Sequence, residues 1–355
     1  MSTWLITGGA GFIGSNFVRA LAAAAPAQIV VLDALTYSGN LTNIADLIDA
    51  RRLSFVQGDI RDPAALTELF AQHDFHRVVH FAAESHVDRS ILGPRAFVET
   101  NVVGTLNLLA AARERWHGSC AQRLFLHIST DEVFGTLAPT APPFCESTPY
   151  APNSPYAASK AASDHLVRAW HHTYGFPAII TNCSNNYGPW QFPEKLIPLM
   201  ILNALGGQEL PLYGDGLQVR DWLHVQDHCD ALLAVLERGT VGATYCIGGG
   251  QQHTNEQVVN SICDLVSERL GQAPRAARRL IRHVEDRPGH DRRYAIDSSR
   301  IRRELGWSPR FELMTSLPAV VDWYLAHADW VTGIRSGEYL RFYEQQYSQR
   351  LRKTS

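Results

Sequence analysis

The first half of the chain alternates continuous apolar runs with longer segments whose apolar residues recur at helical spacing. The apolar runs predict strands at residues 4–7, 28–33, 53–56, 77–81, 124–129 and 178–182. The longer segments predict helices, notably at residues 12–25, 101–116 and 154–174. Because apolar strands separated by helices are typical of a parallel sheet covered on both faces, the pattern predicts an α/β chain with a doubly wound parallel sheet.

After about Cys183 the pattern changes, and proline and glycine become frequent among shorter elements. We interpret this part as a smaller α/β lobe that binds substrate. The helical segment 225–237 is expected to fold back onto the first lobe. This division assigns residues 1–182, about 222–240 and part of 300–330 to the first lobe, and residues 183–221 and 241–299 to the second.

The composition is that of an ordinary globular protein, with 45% hydrophobic and 19% charged residues among 355. A formal net charge of −3 gives no general basic surface, so no nucleic-acid partner is expected. Neither a membrane span nor a signal-peptide pattern is evident, which predicts a cytoplasmic protein without membrane contact. Six scattered cysteines, Cys120 among them, form no CxxC pair and predict buried thiols rather than a disulfide or a metal site.

A glycine-rich turn joins the first predicted strand to the first predicted helix. Glycines let the backbone approach a pyrophosphate, and the helix N-terminus offers free N–H groups and a positive dipole. The next strand ends in an aspartate whose carboxylate can bind both ribose hydroxyls and repels a 2′-phosphate. This order predicts a Rossmann-type site for NAD rather than NADP, built first from Gly8, Gly11, Phe12, Ile13, Gly14 and Asp33.

Two later strand ends are predicted to contact the same cofactor. Asp59 and Ile60 follow the third strand, where the carboxylate could reach the adenine. Small residues after the fourth strand permit close approach to the dinucleotide. The remaining candidates are Phe81, Ala82, Ala83 and Ser85 in that turn, with Ala34, Leu35, Thr36 and Thr100.

Tyr156 and Lys160 begin a predicted helix just after Pro155, and their spacing places both on one helical face. A nearby cation stabilises a phenolate and is expected to lower the pKa of Tyr156. Such a tyrosinate can take a hydroxyl proton while hydride leaves for a nicotinamide. We therefore predict that Tyr156 and Lys160 act in catalysis and also contact the cofactor.

With this pair, the chain resembles the extended short-chain dehydrogenase/reductase superfamily. Within it, the run LHISTDEVFG at residues 126–135 is similar to the dTDP-glucose 4,6-dehydratases, whereas epimerases typically carry a small or hydroxylated residue where Asp131 and Glu132 stand. Phe134 departs from the usual tyrosine of that family, and Gln226 from its usual glutamate. The resemblance covers nearly the whole chain, through NNYGP at 185–189, FPEKLIP at 192–198, GDG at 214–216, RDW at 220–222 and DRPGH at 286–290.

Elimination of water across C5 and C6 of a 4-keto-hexose needs a base for the C5 proton and an acid for the departing oxygen. Adjacent carboxyls fill both roles when their environments separate their pKa values. The resemblance makes Glu132 the base and Asp131 the acid, with Thr130 holding the sugar near Tyr156. It implies that dTDP-glucose becomes its 4-keto-6-deoxy product, that tightly bound NAD is regenerated in each cycle, and that the reaction serves deoxysugar biosynthesis, for example of dTDP-rhamnose.

Arg220 and Arg287 are predicted partners of a nucleotide diphosphate, because a guanidinium matches phosphate oxygens. The resemblance places Asn186 near the nicotinamide, and Glu84 and Ser85 between cofactor and sugar. It also implies a homodimer formed by the helices at 101–116 and 154–174. The further substrate contacts that it implies are Asn185, Lys195, Leu196, Pro211, Tyr213, Asn255 and His290.

Two other kinds of function share these features. A UDP-sugar 4-epimerase or decarboxylase, or another nucleotide-sugar dehydratase, would have the same fold, but epimerisation needs no elimination acid such as Asp131. A non-catalytic nucleotide sensor would not need Tyr156, Lys160, Asp131 and Glu132 together. Uracil and thymine differ by one methyl group, so these residues do not fix the preferred base.

Overall fold

The computed structural model describes residues 2–24, 27–117, 122–335 and 338–352. Ala25, the last residue of the predicted first helix, and Cys120 lie outside the described residues. The other five cysteines are free thiols, and four of them are buried.

The strands of the described chain form one large sheet and two small ones. Their bounds are β1 Thr3–Thr7, β2 Gln28–Asp33, β3 Leu53–Gln57, β4 Phe75–His80, β5 Leu124–Thr130, β6 Ala178–Cys183, β7 Asn185–Tyr187, β8 Leu210–Tyr213, β9 Val219–His224, β10 Thr244–Ile247, β11 Gln252–Thr254 and β12 Ile281–Val284.

Several helices begin at a side-chain cap, among them α3, α7 and α10. Ser154 accepts a hydrogen bond from Ala157 N at the start of α7, with Pro155 as its first residue, and Gly175 ends that helix with φ 62°. None of the described helices is long and apolar enough to cross a membrane. The helix bounds are α1 Phe12–Ala24, α2 Ala45–Asp49, α3 Pro63–Gln72, α4 Val87–Leu92, α5 Pro94–Phe97, α6 Thr105–Trp116, α7 Pro155–Tyr174, α8 Leu196–Leu205, α9 Val225–Arg238, α10 Asn255–Arg269, α11 Ser299–Leu305, α12 Leu313–Ala326, α13 Ala328–Ile334 and α14 Glu338–Arg352.

The large sheet has the order β10-β6-β5-β4-β1-β2-β3, and all of its pairs are parallel. Both faces are covered, because alternate residues of one strand enter different cores. Leu5 and Val30 pack in one apolar cluster with α6, while Ile6 and Val31 pack in another with α1 and α9. The predicted doubly wound parallel sheet is confirmed.

The second region packs its own apolar cluster from α8, α10 and α12 beside the two small sheets, β11-β9-β7 and β12-β8. Helix α9 packs against α1, which covers one face of the large sheet. This agrees with the expectation that the segment 225–237 folds back onto the first lobe. Strand β10 differs from the sequence interpretation, which placed it in the second lobe. It pairs with β6 at the edge of the large sheet, because its buried apolar residues extend that core. With this correction, the two-lobe division remains a proposal.

The predicted helix at 101–116 is interrupted at its start. Residues Val98–Gly104 form a π-helix, and the regular helix α6 begins only at Thr105. Asn101 lies in the π segment, and its side chain accepts from Glu84 N at 2.8 Å and donates to Glu84 O at 2.9 Å. Asn101 in the π-helix therefore connects the turn after β4 to the layer of helices through two hydrogen bonds. Segments of π-helix often occur near functional sites.

The backbone of the glycine turn lies against the end of β4. Gly8 has φ +70°, and a β-carbon built on it would lie 2.6 Å from Ala82 N. Gly14 is similarly restricted, since its β-carbon would lie 2.2 Å from Gly8 O. These two positions require glycine because the chain approaches itself too closely for any side chain.

Replacing Gly8 by alanine is expected to lower the free energy of unfolding by about 2 kcal/mol or more, because the left-handed φ and the contact with Ala82 both disfavour a β-carbon. Urea denaturation measures this change. Gly333→Ala in α13 is the control, since no heavy atom lies within 4 Å of its β-carbon position. We expect that control to change stability by less than about 1 kcal/mol. Equal stability of the Gly8→Ala and wild-type proteins would contradict this account.

Candidate active site

A cleft of about 300 Å³ opens at the carboxyl edge of the large sheet. We call it the glycine-side cleft, because the turn before α1 forms one of its walls. Nearly all of the predicted cofactor residues line it. They are Gly8, Gly11, Phe12, Ile13, Gly14, Asp33, Ala34, Thr36, Asp59, Ile60, Phe81, Ala82, Ala83, Ser85, Thr100, Tyr156, Lys160 and Asn186.

Leu35 is the exception among the predicted cofactor residues, and its contact with the cofactor stays a prediction. It does not line the cleft; its side chain packs against the apolar cluster around α1. Leu35 has φ 51°, and its N–H donates to Asp33 Oδ1 at 2.9 Å. The backbone N–H of Leu35 therefore helps to hold the Asp33 carboxylate in position.

Asp33 is buried and holds the glycine turn. Its Oδ2 accepts from Ala10 N at 2.9 Å, so the carboxylate spans from the end of β2 to the loop before α1. Burial raises the pKa of Asp33, while the N–H groups of Leu35 and Ala10 lower it. The first-turn N–H groups of α1 have no intrahelical acceptor and adjoin this carboxylate. The turn can thus receive both the phosphates and the ribose of a dinucleotide.

Asp59 lines the cleft but has a partner within the chain. Its carboxylate accepts from the Arg61 side chain at 2.6 Å and from Arg61 N at 2.8 Å. The Arg61 guanidinium lowers the pKa of Asp59 and keeps it ionised. An adenine contact at this turn would therefore use the remaining acceptor positions of the carboxylate or the backbone of Ile60.

Tyr156 and Lys160 lie together at the floor of the cleft, both buried. The Lys160 ammonium donates to Ile128 O at 2.8 Å and lies 3.5 Å from His127 Nε2. The expected lowering of the Tyr156 pKa is not found in the protein by itself. Burial and the nearby Glu132 raise that pKa well above its ordinary value, and only Thr130 opposes them among the main influences.

A buried polar network around Asp164 lies next to Lys160. Asp164 accepts from Ser129 at 2.8 Å and from Tyr150 at 2.9 Å, and its other oxygen lies 3.1 Å from His127 Nε2. Burial lowers the pKa of Lys160, whereas Asp164 raises it. Burial and Lys160 lower the pKa of His127 to about 4, so this imidazole is neutral. Asp164 is thus the group that favours a charged Lys160.

Asp131 and Glu132 follow β5 directly and differ in their surroundings. Thr130 caps the short 3₁₀ turn Asp131–Phe134, which directs both residues toward the cleft. Burial, Glu132 and Asp221 raise the pKa of Asp131 well above its ordinary value, which favours its protonated form. Burial also raises the pKa of Glu132, but three cations oppose it: Arg287, Lys195 and Arg220. The pKa of both carboxyls is thus raised, but their surroundings differ: a carboxyl neighbour raises the pKa of Asp131 further, while three cations favour the ionised form of Glu132.

A second cavity of about 150 Å³ continues from the first, and we call it the arginine-side cleft. Glu132, Asn186 and Lys195 line both parts, so the two meet at the carboxyl pair. The predicted substrate residues divide between the two parts. Glu84, Ser85 and Thr130 line the first part, and Asn185, Lys195, Leu196, Pro211, Tyr213, Arg220, Asn255, Arg287 and His290 line the second.

Arg220 and Arg287 supply most of the positive charge of the arginine-side cleft. Arg220 is buried and donates to Val219 O at 2.8 Å and to Asp291 O at 3.0 Å. Arg287 lies 3.5 Å from Asp88 Oδ1. Their remaining N–H groups suit an anion with several oxygens, such as a diphosphate.

Several cleft residues carried no clear signal in the sequence. Asp88 follows the small-residue turn after β4 and accepts from the Tyr213 hydroxyl at 3.0 Å. Glu194 adjoins both parts of the cleft and pairs with Arg89 at 3.2 Å. Tyr347 lies in α14, far along the chain from Tyr213, and the centroids of the two stacked rings lie 6.2 Å apart. Only Glu194 stood inside a recognised motif, next to Lys195.

The described residues contain no group of three His, Cys, Asp or Glu side chains placed to hold a metal ion. Organic groups fit the cleft better. Asn185 Oδ1 and Gln191 Oε1 are buried in its lining without a hydrogen-bond partner, and Asp131 Oδ2 shares that state. Such acceptors favour a ligand that carries hydroxyl and amide donors.

Comparison with known proteins supports this interpretation. The family described as GDP-mannose 4,6 dehydratase matches residues 5–318. A dTDP-glucose 4,6-dehydratase from Xanthomonas campestris pv. campestris (strain B100) is 56% identical over 346 residues, covering 96% of this chain and 97% of that protein. A solved dTDP-glucose 4,6-dehydratase from Streptomyces venezuelae, with NAD and dTDP bound, is 46% identical with a TM-score of 0.85, covering 92% of this chain and 98% of that one. A UDP-glucose 4-epimerase from Thermus thermophilus, in complex with NAD, is 29% identical with a TM-score of 0.81, covering 92% and 99%.

Proposed function

The chain belongs to the dTDP-glucose 4,6-dehydratase family, and on that premise we propose that its cleft converts dTDP-glucose to dTDP-4-keto-6-deoxyglucose and water. The observation that carries the proposal is the carboxyl pair at the junction of the cleft. Asp131 is buried among influences that favour its protonated form, while three cations favour the ionised form of Glu132. An elimination needs this acid and this base, whereas an epimerisation needs neither.

The glycine-side cleft fits NAD. The turn before α1 would bind the pyrophosphate, Asp33 the ribose, and the junction would receive the nicotinamide. When bound, NAD accepts hydride from C4 and returns it to C6 in the same cycle. Because no net redox change occurs, we propose that the cofactor stays bound between turnovers.

The chain's own residues move the protons. In its phenolate form, Tyr156 would take the proton of the C4 hydroxyl. Thr130 lowers its pKa, and Lys160 one helical turn away and the positive charge of a bound nicotinamide would favour the phenolate further. Glu132 removes the C5 proton, and Asp131 gives its proton to the departing C6 oxygen. When hydride adds to C6, a proton returns to C5, which completes the 4-keto-6-deoxy sugar. Tyr156 and Asp131 are buried and Glu132 is partly buried, which limits the exchange of these protons with bulk water during the cycle.

The arginine-side cleft is proposed to hold the nucleotide. Arg220 and Arg287 lie nearest the carboxyl pair and would bind the diphosphate. Tyr213 and Tyr347 lie beyond Asp88 and offer aromatic surface for the base. A thymidine diphosphate would thereby place its sugar at the junction of the two parts.

The proposal is tested by incubating the purified protein with dTDP-glucose and no added cofactor. We expect a 4-keto product that has lost one water by mass. Asp131→Asn should lower kcat by roughly 10²–10⁴-fold, and Glu132→Gln should do the same, because each removes one proton-transfer group. Asp215→Asn is the control, since that exposed carboxylate pairs with Arg292 away from the cleft. A product of unchanged mass and inverted C4 would identify an epimerase instead.

The pH dependence of kcat/KM should report the ionisation of Glu132. Its acid limb is expected above the ordinary glutamate pKa, because burial raises the Glu132 pKa. Among the cations that lower the pKa of Glu132, Arg287 has the largest effect. Arg287→Gln should therefore raise that pKa and move the acid limb to higher pH by about one unit. Arg292→Gln, which removes an exposed arginine paired with Asp215, should leave the limb in place. A limb that moves to lower pH in Arg287→Gln would contradict the assigned base.

We also propose that the protein is a homodimer. The segment from α4 to the π-helix exposes Leu92 (58%), Val98 (50%) and Val103 (43%), next to the helices implied by the family resemblance. Clustered apolar residues on the surface mark association sites more often than single ones do.

Replacing both Val98 and Val103 by lysine should shift the molar mass in light scattering from dimer to monomer, because charges would be buried unpaired at the interface. The matched control replaces Val241 and Leu270, which are exposed to similar extents on other surfaces. If both double variants keep the wild-type mass, this face is not the interface.

A further inference from the structure

We propose that His228 is a positioning residue that orients the side-chain amide of Asn186, so that Asn186 presents an N–H donor to the carboxamide of the bound nicotinamide. The inference rests on the proposed function for the presence of NAD. The orientation itself follows from contacts within the chain.

His228 lies in α9, outside the cleft, and is fully buried. Its Nδ1 lies 2.9 Å from Asn186 Oδ1. On the other side, Asn186 Nδ2 donates to Ser184 O at 2.9 Å and lies 3.5 Å from Cys183 Sγ. The backbone is held as well, since Gln191 Nε2 donates to Asn186 O at 2.9 Å.

These contacts determine which end of the amide carries the hydrogens. A carbonyl oxygen and a sulfur surround one end of the Asn186 amide, and both are acceptors, so the nitrogen belongs there. The oxygen then faces His228, whose Nδ1 must carry the proton. Burial lowers the pKa of His228 to about 3, so the imidazole is neutral and has a single N–H. His228 Nε2 is buried without a hydrogen-bond partner, which agrees with an unprotonated nitrogen on that side.

The fixed amide has a consequence for the cleft. One hydrogen of Asn186 Nδ2 binds the Ser184 carbonyl strongly, while the other meets only Cys183 sulfur, a weak acceptor. This second N–H remains available to a better acceptor. Asn186 lines both parts of the cleft, at the junction where Tyr156 and the carboxyl pair also lie. For hydride transfer, the nicotinamide ring must lie at this junction. The oxygen of its carboxamide group is then an acceptor within the same region as the Asn186 N–H.

His228 therefore acts through Asn186, and its removal should weaken NAD more than the nucleotide. In His228→Leu, Asn186 Oδ1 loses its donor, and only the contacts of Nδ2 with Ser184 O and Cys183 Sγ still orient the amide. We expect the dissociation constant of NAD, measured by calorimetry on protein stripped of cofactor, to rise about tenfold or more. The dissociation constant of dTDP should change by less than about threefold.

His228→Asn is the matched variant, because an asparagine amide nitrogen occupies nearly the position of histidine Nδ1. It restores the donor without the ring, and we expect NAD affinity to return to within about threefold of wild type. A residue that only fills space would not distinguish Asn from Leu in this way. Equal affinity losses in the Asn and Leu variants would overturn the proposal.

A double-substitution cycle tests the route. If His228 acts through Asn186, the Asn186→Ala/His228→Leu protein should bind NAD no more weakly than Asn186→Ala alone. Additive losses would overturn the proposal, as would a loss confined to dTDP. A wild-type protein that binds no NAD at all would instead contradict the proposed function, so the two failures are distinguishable.

Discussion

Parallel strands are the constraint on which the rest of this molecule depends. All pairs in the large sheet run the same way, so every strand ends at one edge and each following turn opens there. The glycine turn, Asp33, the small residues after β4 and the Asp131-Glu132 pair are far apart in sequence, yet they line one cleft for this reason. The same arrangement leaves the strands buried on both faces, which requires the continuous apolar runs seen in the sequence.

The edge of the sheet also concentrates buried charge. Carboxyls and cations alternate across the junction, and each group changes the ionisation of its neighbours: Arg287 lowers the pKa of Glu132, while Glu132 raises that of Asp131. A buried ion pair is costly to form unless its members are well placed. Here the cost accompanies a difference in surroundings, since the neighbours of Asp131 favour its protonated form and three cations favour the ionised form of Glu132.

Local patterns predicted six of the seven strands of the large sheet to within two residues, because each contains a short apolar run. The seventh, β10, was assigned to the second lobe instead. Most of the predicted cofactor residues lie at these strand ends, and Leu35 is the only predicted one that does not line the cleft, since its side chain packs toward the core. The interruption of the predicted helix at 101–116 had no such signal. A π-helix depends on one extra residue per turn, which the contact of Asn101 with the Glu84 backbone stabilises through tertiary structure.

The elements that follow β6 show what a local sequence pattern does not decide. Strand β10 is only four residues long and apolar, so its sequence suits either sheet; the edge of β6 decides its place. Tyr347 and Asp88 contribute to the arginine-side cleft through contacts with Tyr213, which no spacing rule predicts. When two elements come into contact only through the tertiary fold, the periodicity of their sequences does not predict that contact. The part of the cleft around Asp131 and Glu132 is therefore encoded in a short motif at a strand end, whereas the arginine-side cleft depends on how separate elements pack around Tyr213.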